Sequence, residues 1–205
     1  MMSENNFRLG IYVTGFILGF VLMGFQMLSS RYMNPWFGSG IYTWAAIISV
    51  TLFALVIGYF WGGRLVDRRP SAALLGWLVA LAGLSMAVIP LLFDPMVLLV
   101  IDGFGDGPTG VTAAAFGMLI VPLTLIACYS PFAVRLLLMS TQTSGRQTGA
   151  VYGINTCGNI LGTLGTAFWL IPTVGSREIT YWFAAIVVAC GVGLIWLGRA
   201  RKAAE

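Results

Sequence analysis

The sequence predicts an all-α integral membrane protein with six transmembrane helices, and two observations support this prediction. First, 59% of the 205 residues are hydrophobic and only 9% are charged, whereas a soluble domain carries about 25% charged residues. So few charges could not cover the surface of a soluble fold. Second, the apolar residues form runs of about 20 residues, the length that crosses a bilayer. The composition therefore excludes a soluble enzyme, a disordered chain and a collagen-like chain.

The six predicted spans form a single domain over residues 1–205. The first run is too long for a secretory signal peptide and no small-residue cleavage site follows it, so we expect a retained helix. Turn-forming residues separate the first three runs, and a polar loop over residues 141–148 precedes the fifth. Each run is predicted to be helical because lipid forces backbone groups to bond within their own segment. The predicted helices cover about 9–28, 41–62, 72–92, 111–132, 150–172 and 179–198.

The segment between the third and fourth predicted helices, residues 95–110, has two parts. Residues 95–102 are apolar but too short to span, so we expect an interfacial or re-entrant piece. Residues 103–110 read GFGDGPTG, which is similar to a nucleotide-binding glycine loop. No strand precedes this loop and it lies between membrane spans, so the sequence predicts a connection and no cofactor site.

The basic residues predict that both termini face the cytoplasm, in the plasma or inner membrane. With that orientation, nine of the 11 basic residues are cytoplasmic, and cytoplasmic segments are enriched in Lys and Arg. The cytoplasmic set is Arg8, Arg64, Arg68, Arg69, Arg135, Arg146, Arg199, Arg201 and Lys202, and the outer set is Arg31 and Arg177. Tryptophans near the predicted helix ends are typical of interfacial anchors, namely Trp36, Trp44, Trp61, Trp169, Trp182 and Trp196.

The residue inventory gives little support to catalysis or metal binding. The chain has no histidine, so histidine metal sites and histidine proton relays are excluded. The three cysteines lie in separate apolar runs without metal-ligand spacing and are expected to be small buried residues. No paired carboxylates or activated nucleophile converge. We therefore expect no enzyme activity, no cofactor, no metal and no nucleic-acid partner.

Two blocks of the sequence carry a family resemblance. In the first, residues 24–70, a Pro-x-Phe-Gly-Ser turn follows the first helix, and a Gly-x-x-x-Gly-Gly-Arg-x-x-Asp-Arg segment ends the second. In the second, residues 131–175, Gly-Arg precedes a Tyr-x-x-Asn-Thr-x-Gly segment. Both blocks resemble the membrane domain of the fused permease/spermidine-synthase-like proteins. The matching positions include Arg31, Pro35, Phe37, Gly38, Ser39, Gly58, Gly62, Gly63, Arg64, Asp67, Arg68, Gly145, Arg146, Gly149, Tyr152, Asn155, Thr156, Gly158, Gly162, Pro172 and Gly175.

The resemblance implies a six-helix domain similar to half of a major-facilitator transporter. Such halves contain three-plus-three inverted repeats, and the second and fifth predicted helices are similar in length and rich in glycine. The sequence departs from the family in two ways. Gln26 stands where the family has an acid, and the usual synthase-like domain does not follow Glu205. Because Gln26 cannot titrate as a carboxylate, its presence argues against proton coupling through this position.

Two groups of residues are candidates for a transport mechanism, each with a plainer alternative. Asp67 could pair with an arginine and latch the cytoplasmic side, or it could simply neutralise a topogenic basic loop. The latch candidates are Arg64, Asp67, Arg68 and Arg135. A polar stripe on the fifth predicted helix could line a substrate pathway or provide hydrogen bonds between helices. The pathway candidates are Gln26, Arg31, Tyr152, Asn155, Asn159 and Thr163, and Thr166 continues the stripe.

Pairs of glycines four residues apart predict close helix packing, since small residues let helix backbones approach. These pairs are Gly58 and Gly62 on the second helix, and Gly158 and Gly162 on the fifth. Gly63 and the pair Gly149 and Gly153 are expected to assist in the same way.

Two functions fit the sequence. The first is a small-molecule transporter or binding subunit that works as a homo-oligomer or with a partner subunit, since six helices make only half of a transport pathway. The membrane interior lacks the acids that a polycation would need, so the family name does not identify the substrate. The second is a membrane anchor for a separately encoded synthase-like or other cytoplasmic enzyme, held by Arg64–Arg69, Gln142–Gln147 and the basic tail.

Overall fold

Five helices are long and apolar enough to cross a membrane in the computed structural model, which describes residues 4–138 and 144–202. These five helices cover Asn5–Phe37, Ile41–Arg68, Ala72–Phe104, Pro108–Leu137 and Ser176–Ala200. No strand occurs within these two ranges. This all-helical architecture agrees with the predicted class. The elements are α1 Glu4–Phe37, α2 Ile41–Arg68, α3 Ala72–Phe104, α4 Pro108–Ala127, α5 Tyr129–Leu137, α6 Ser144–Gly165, α7 Ile171–Thr173 and α8 Ser176–Lys202, with a π-helical turn over Thr166–Leu170.

The predicted span over residues 150–172 corresponds to α6, the π turn and α7, and it is not among these five helices. Its glycines, amides and hydroxyls lower its hydropathy, and the π turn interrupts its regular hydrogen bonding. The total of six membrane spans and the cytoplasmic orientation of both termini therefore remain predictions. Residues 139–143, which include Gln142 and the first three residues of the predicted polar loop, lie outside the described residues.

Most helices extend beyond the predicted spans, and the expectation for residues 95–102 is wrong. These residues continue α3, which runs through Pro90 and Pro95 to Phe104. The helix ends at Gly105, whose φ of 76° suits glycine. Because Pro108 occupies the first turn of α4, the predicted loop over residues 103–110 shrinks to Gly105–Gly107.

The turn between α1 and α2 is also shorter than predicted, because α1 includes Asn34–Phe37. Gly38 has a φ of 70° and donates its N–H to the Asn34 carbonyl over 3.0 Å, which ends the helix. The predicted span over residues 111–132 instead divides at Cys128 into α4 and α5. Pro131 cannot donate the helical hydrogen bond to the carbonyl four residues earlier, which explains a break at this point.

Two helices form the centre of the bundle. In the most apolar 18-residue stretch of α1, and in that of α4 and α5 taken together, 61% of the residues are buried. The corresponding fraction is 39% in α2 and 22% in α3. The main helix pairs are α3 with α8, α1 with α6, α2 with α4 and α3 with α4. Phe25, Leu28, Tyr129 and Phe132 are among the buried side chains between them. The other helices therefore pack around α1 and α4.

Glycines line the closest helix contacts. On α6, a methyl group at Gly158 would collide with the Phe16 carbonyl oxygen of α1, and one at Gly162 with the Phe20 carbonyl oxygen. On α2, a methyl group at Gly62 would lie 2.8 Å from Cα of Cys128. These backbones approach each other at distances that exclude any side chain.

The α2–α4 and α3–α8 contacts have the same character. A methyl group at Gly58 would lie 2.5 Å from the Thr124 carbonyl oxygen, and one at Gly76 would lie 2.6 Å from the Gly191 carbonyl oxygen. Glycine therefore occurs at the contacts of α6 with α1, of α2 with α4 and of α3 with α8. Each contact brings a backbone carbonyl of one helix against a glycine of its neighbour.

The outward face of α6 differs from its packed face. Gly149 and Gly153 have no heavy atom within 4 Å of an added methyl group, so they do not take part in packing within the chain. Gly63 on α2 is equally open. Cys157 lies one turn beyond Gly153 and is exposed, so the expectation that all cysteines are buried is wrong for this residue. The reason is that α6 packs mainly on α1, which leaves its opposite face uncovered.

A methyl group added to α6 is expected to have opposite effects on its two faces. Gly162→Ala forces α6 away from Phe20 and should lower the free energy of unfolding by about 1–3 kcal/mol. In the monomeric chain, Gly153→Ala adds the same group in open space and should raise it by about 0.5–1 kcal/mol through helix propensity. Unfolding in mixed micelles with increasing denaturing detergent measures both variants. Equal effects of the two substitutions would contradict this packing.

Candidate functional site

The sequence-predicted site residues occur at three levels of the bundle: a cleft where α2 ends, the α1–α6 interface, and a cleft where α1 ends. Since α2 runs back from the end of α1, the two clefts lie at opposite ends of the bundle. We call them the α2-end cleft and the α1-end cleft.

The α2-end cleft joins two latch candidates to the polar stripe. It has a volume of about 290 Å³, and Asp67 of α2, Arg135 of α5 and Tyr152 of α6 line it. All three side chains are exposed, and Asp67 and Arg135 form no ion pair with each other in the part of the chain that the structure describes. Arg64 and Arg68 are exposed on the same helix but do not line this cleft. The cleft can therefore bring an acid and a base together without a change of fold.

The α1–α6 interface contains the two asparagines of the stripe. The Oδ1 atoms of Asn155 and Asn159 lie 3.0 and 3.1 Å from the position that Cβ would occupy on Gly19 of α1. The Thr163 hydroxyl donates a hydrogen bond of 2.9 Å to the Asn159 carbonyl oxygen of the same helix. Asn159 Oδ1 is buried and has no hydrogen-bond partner among the described residues. The asparagines thus pack against α1, but Asn159 Oδ1 is not bonded across that interface.

The stripe ends at Thr166, where the π turn begins. Thr166 is fully buried, and its Oγ1 has no hydrogen-bond partner in the part of the chain that the structure describes. This oxygen lies 2.6 Å from the position of an added Cβ on Gly24, so the glycine makes room for it. π-helical turns are frequent at functional sites, and an unpaired buried hydroxyl costs about 1–3 kcal/mol.

The α1-end cleft, of about 380 Å³, contains Arg31 but not Gln26. Arg31 and Trp36 of α1 line it together with Asp94 of α3 and Arg177 of α8. Asp94 and Arg177 form an ion pair. Gln26 is buried in α1, five residues before Arg31 and about 7.5 Å deeper along the helix axis. The six pathway candidates therefore do not share one level of the bundle.

Three contacts seen in the structure were not predicted from the sequence. The Tyr129 hydroxyl donates to the Ile11 carbonyl oxygen and joins α5 to α1. The Tyr32 hydroxyl lies 2.9 Å from Thr180 Oγ1 and joins α1 to α8. The third is the ion pair between Asp94 and Arg177. No short-range pattern signals such pairs, which are 83 to 148 residues apart.

The α1 face that receives α6 was also missed, although the sequence carries a signal for it. The signal is Gly19, which has no side chain and lies between Phe16 and Phe20, the two residues whose carbonyl oxygens face Gly158 and Gly162 of α6. The structure describes no group of three or more Cys, Asp or Glu residues within these ranges that could hold a metal ion.

Two fully buried threonines are expected to respond oppositely to replacement by valine. Thr166→Val removes an unpaired hydroxyl and should raise the free energy of unfolding by about 1 kcal/mol. Thr180→Val removes the partner of the Tyr32 hydroxyl and should lower it by about 1 kcal/mol. The same detergent-unfolding measurement compares the two. A loss of stability in Thr166→Val would mean that this hydroxyl is bonded in the folded protein.

No family model, no curated protein and no solved structure matches this chain. The interpretation of its function therefore depends on the geometry of the two clefts and of the α1–α6 interface.

Proposed function

We propose that this chain is a six-helix half-transporter that binds or moves a small molecule as a homo-oligomer in the cell membrane. The observation that carries the proposal is the symmetry of its helix pairs. Suppose that α1 is exchanged with the segment formed by α4 and α5, that α2 is exchanged with α6, and that α3 is exchanged with α8. The same helices are then found in contact as before the exchange. The α1–α6 pair becomes α4–α2, the α1–α8 pair becomes α4–α3, and the α3–α8 pair maps onto itself.

This exchange is what a three-plus-three inverted repeat requires. The glycine contacts follow the same exchange. Gly58 and Gly62 of α2 contact α4 and the residue that follows it, and Gly158 and Gly162 of α6 contact α1. The two central helices, which the exchange relates, are buried to the same extent. These agreements support the half-major-facilitator arrangement that the sequence resemblance implies, with α6, the π turn and α7 as the sixth span.

The α2-end cleft supplies the moving part of the mechanism. A charge pair that forms and breaks is a common element of conformational switching. Asp67 and Arg135 line one cleft without pairing, and we propose that their pairing closes this side. Arg146 and Arg199 lie near the same end of the bundle, which supports a cytoplasmic location for it. The side chains of Arg201 and Lys202 lie outside the described residues.

The oligomer is proposed to form through the outward face of α6. Gly149 and Gly153 are open, and Cys157 continues the same face one turn further on. Small residues four apart allow close helix association in lipid. A second copy seated on this face would complete the pathway that six helices leave half built.

The anchor function is the second candidate, and the α1–α6 interface favours it. Asn155 and Asn159 pack against Gly19, as expected for a static helix contact. Arg64, Arg68 and Arg69 are exposed where α2 ends and could hold an acidic partner. Purification in mild detergent tests this candidate: a stoichiometric cytoplasmic partner, lost when these three arginines are replaced by glutamine, would favour the anchor over the transporter.

The transporter proposal predicts a specific charge requirement at the α2-end cleft. In proteoliposomes tested with a panel of radiolabelled metabolites, Asp67→Arg and Arg135→Asp should each lower uptake about tenfold, because each puts like charges in the cleft. The double variant should restore uptake to within about threefold of the original, since it restores an opposite pair.

Arg199→Asp serves as the matched control, because it reverses a charge on α8 outside the cleft and should leave uptake unchanged. Unfolding measurements on all variants separate loss of activity from loss of fold. Absence of uptake and of specific binding across the whole panel would contradict the transporter proposal.

The oligomer proposal predicts crosslinking of the native thiol on α6. In membranes treated with a short bismaleimide, the original chain and Cys190→Ser should give a dimer, and Cys157→Ser should not. Labelling with a monofunctional maleimide verifies that Cys157 is reactive. A reactive Cys157 that yields no dimer would argue against this interface.

A further inference from the structure

The α1-end cleft contains one ion pair and two further charges, the cation Arg31 and the anion Glu178. Its formal charges are Arg31, Asp94, Arg177 and Glu178. Asp94 is neutralised by its ion pair with Arg177. The Glu178 carboxylate lies about 4 Å from the position of an added Cβ on Gly175, so it folds back onto the start of α8. An acid in this first turn is stabilised by the helix N-terminus.

Arg31 is the cation of the cleft that no ion pair neutralises. It is exposed and has no ion-pair partner within residues 4–138 and 144–202. The half-buried Trp36 lies beside it in the same cleft. A guanidinium forms two parallel hydrogen bonds with a phosphate, and one arginine balances the single negative charge of a phosphodiester.

Tryptophans indicate the depth of this cleft relative to the bilayer. Trp44 and Trp61 are 17 residues apart on α2, and Trp182 and Trp196 are 14 residues apart on α8. These spacings correspond to about 26 and about 21 Å along the helix axes, which fits two interfacial belts of one bilayer. Trp36 itself lines the cleft, and Arg177 precedes Trp182 by five residues, about 7.5 Å along α8, so the cleft extends from the tryptophan belt to head-group level.

We infer that the α1-end cleft is a binding site for a phosphate group carrying one negative charge, which Arg31 holds. At this depth the group available is the phosphate of a lipid head group, and free inorganic phosphate offers the same chemistry from solution. The cleft volume of about 380 Å³ has room for a head group beside Trp36. This inference does not depend on the transport proposal.

A photoreactive phosphatidylglycerol with its crosslinker in the head group tests the site in the full chain, reconstituted in phosphatidylcholine vesicles. Crosslinked peptides are mapped by mass spectrometry. Labelling should fall on residues 31–37 and 175–178, and Arg31→Gln should lower labelling there about fivefold. Arg31→Lys keeps the charge and should retain more than half of it. The control Arg199→Gln removes one charge at the opposite end and should leave it unchanged.

Added sodium phosphate distinguishes the two sources. Millimolar phosphate that displaces the Arg31-dependent label supports binding of the free anion as well, and an undisplaced label supports the lipid head group alone. The inference is overturned if Arg31→Gln and the original chain are labelled equally at these residues, or if labelling is spread evenly over both ends of the bundle.

Discussion

Close backbone contact at glycine is the constraint on which the rest of this structure depends. Between helices surrounded by lipid, the hydrophobic effect gives little driving force, so packing and short-range contacts must hold the bundle together. Gly162 against Phe20 and Gly76 against Gly191 bring helix backbones nearer than any side chain would permit. The positions of α6 and α8, and so the places where the two clefts open, follow from these contacts.

The same close contacts explain the unusual placement of polar groups. Because Gly19 and Gly24 of α1 have no side chains, the oxygens of Asn159 and Thr166 occupy the space against them. Both oxygens are buried without a hydrogen-bond partner, a cost that a purely structural interface would avoid by using apolar residues. The interface therefore combines tight packing with polarity that stability alone does not explain.

The charged groups separate into two sites with different character. At the α2-end cleft, Asp67 and Arg135 are near each other and unpaired, so this end can change its charge pairing. At the α1-end cleft, Asp94 and Arg177 are paired, and Arg31 has no ion-pair partner among the described residues. An acid and a base that do not pair with each other thus line the cleft at one end of the bundle, and an ion pair lines the cleft at the other end.

The sequence by itself determined the membrane class, the helical content and four of the glycines in the packed interfaces, Gly58, Gly62, Gly158 and Gly162, because hydropathy and small-residue spacing are local properties of the chain. It did not predict the continuation of α3 through Pro95, since a proline removes one hydrogen bond but does not always end a helix. It also could not distinguish Gly158, which is packed, from Gly153, which is open. Only the tertiary structure decided which face of α6 meets α1. It also decided that Arg177 forms an ion pair with Asp94. The reason is that such partners are distant in sequence and are selected by helix packing.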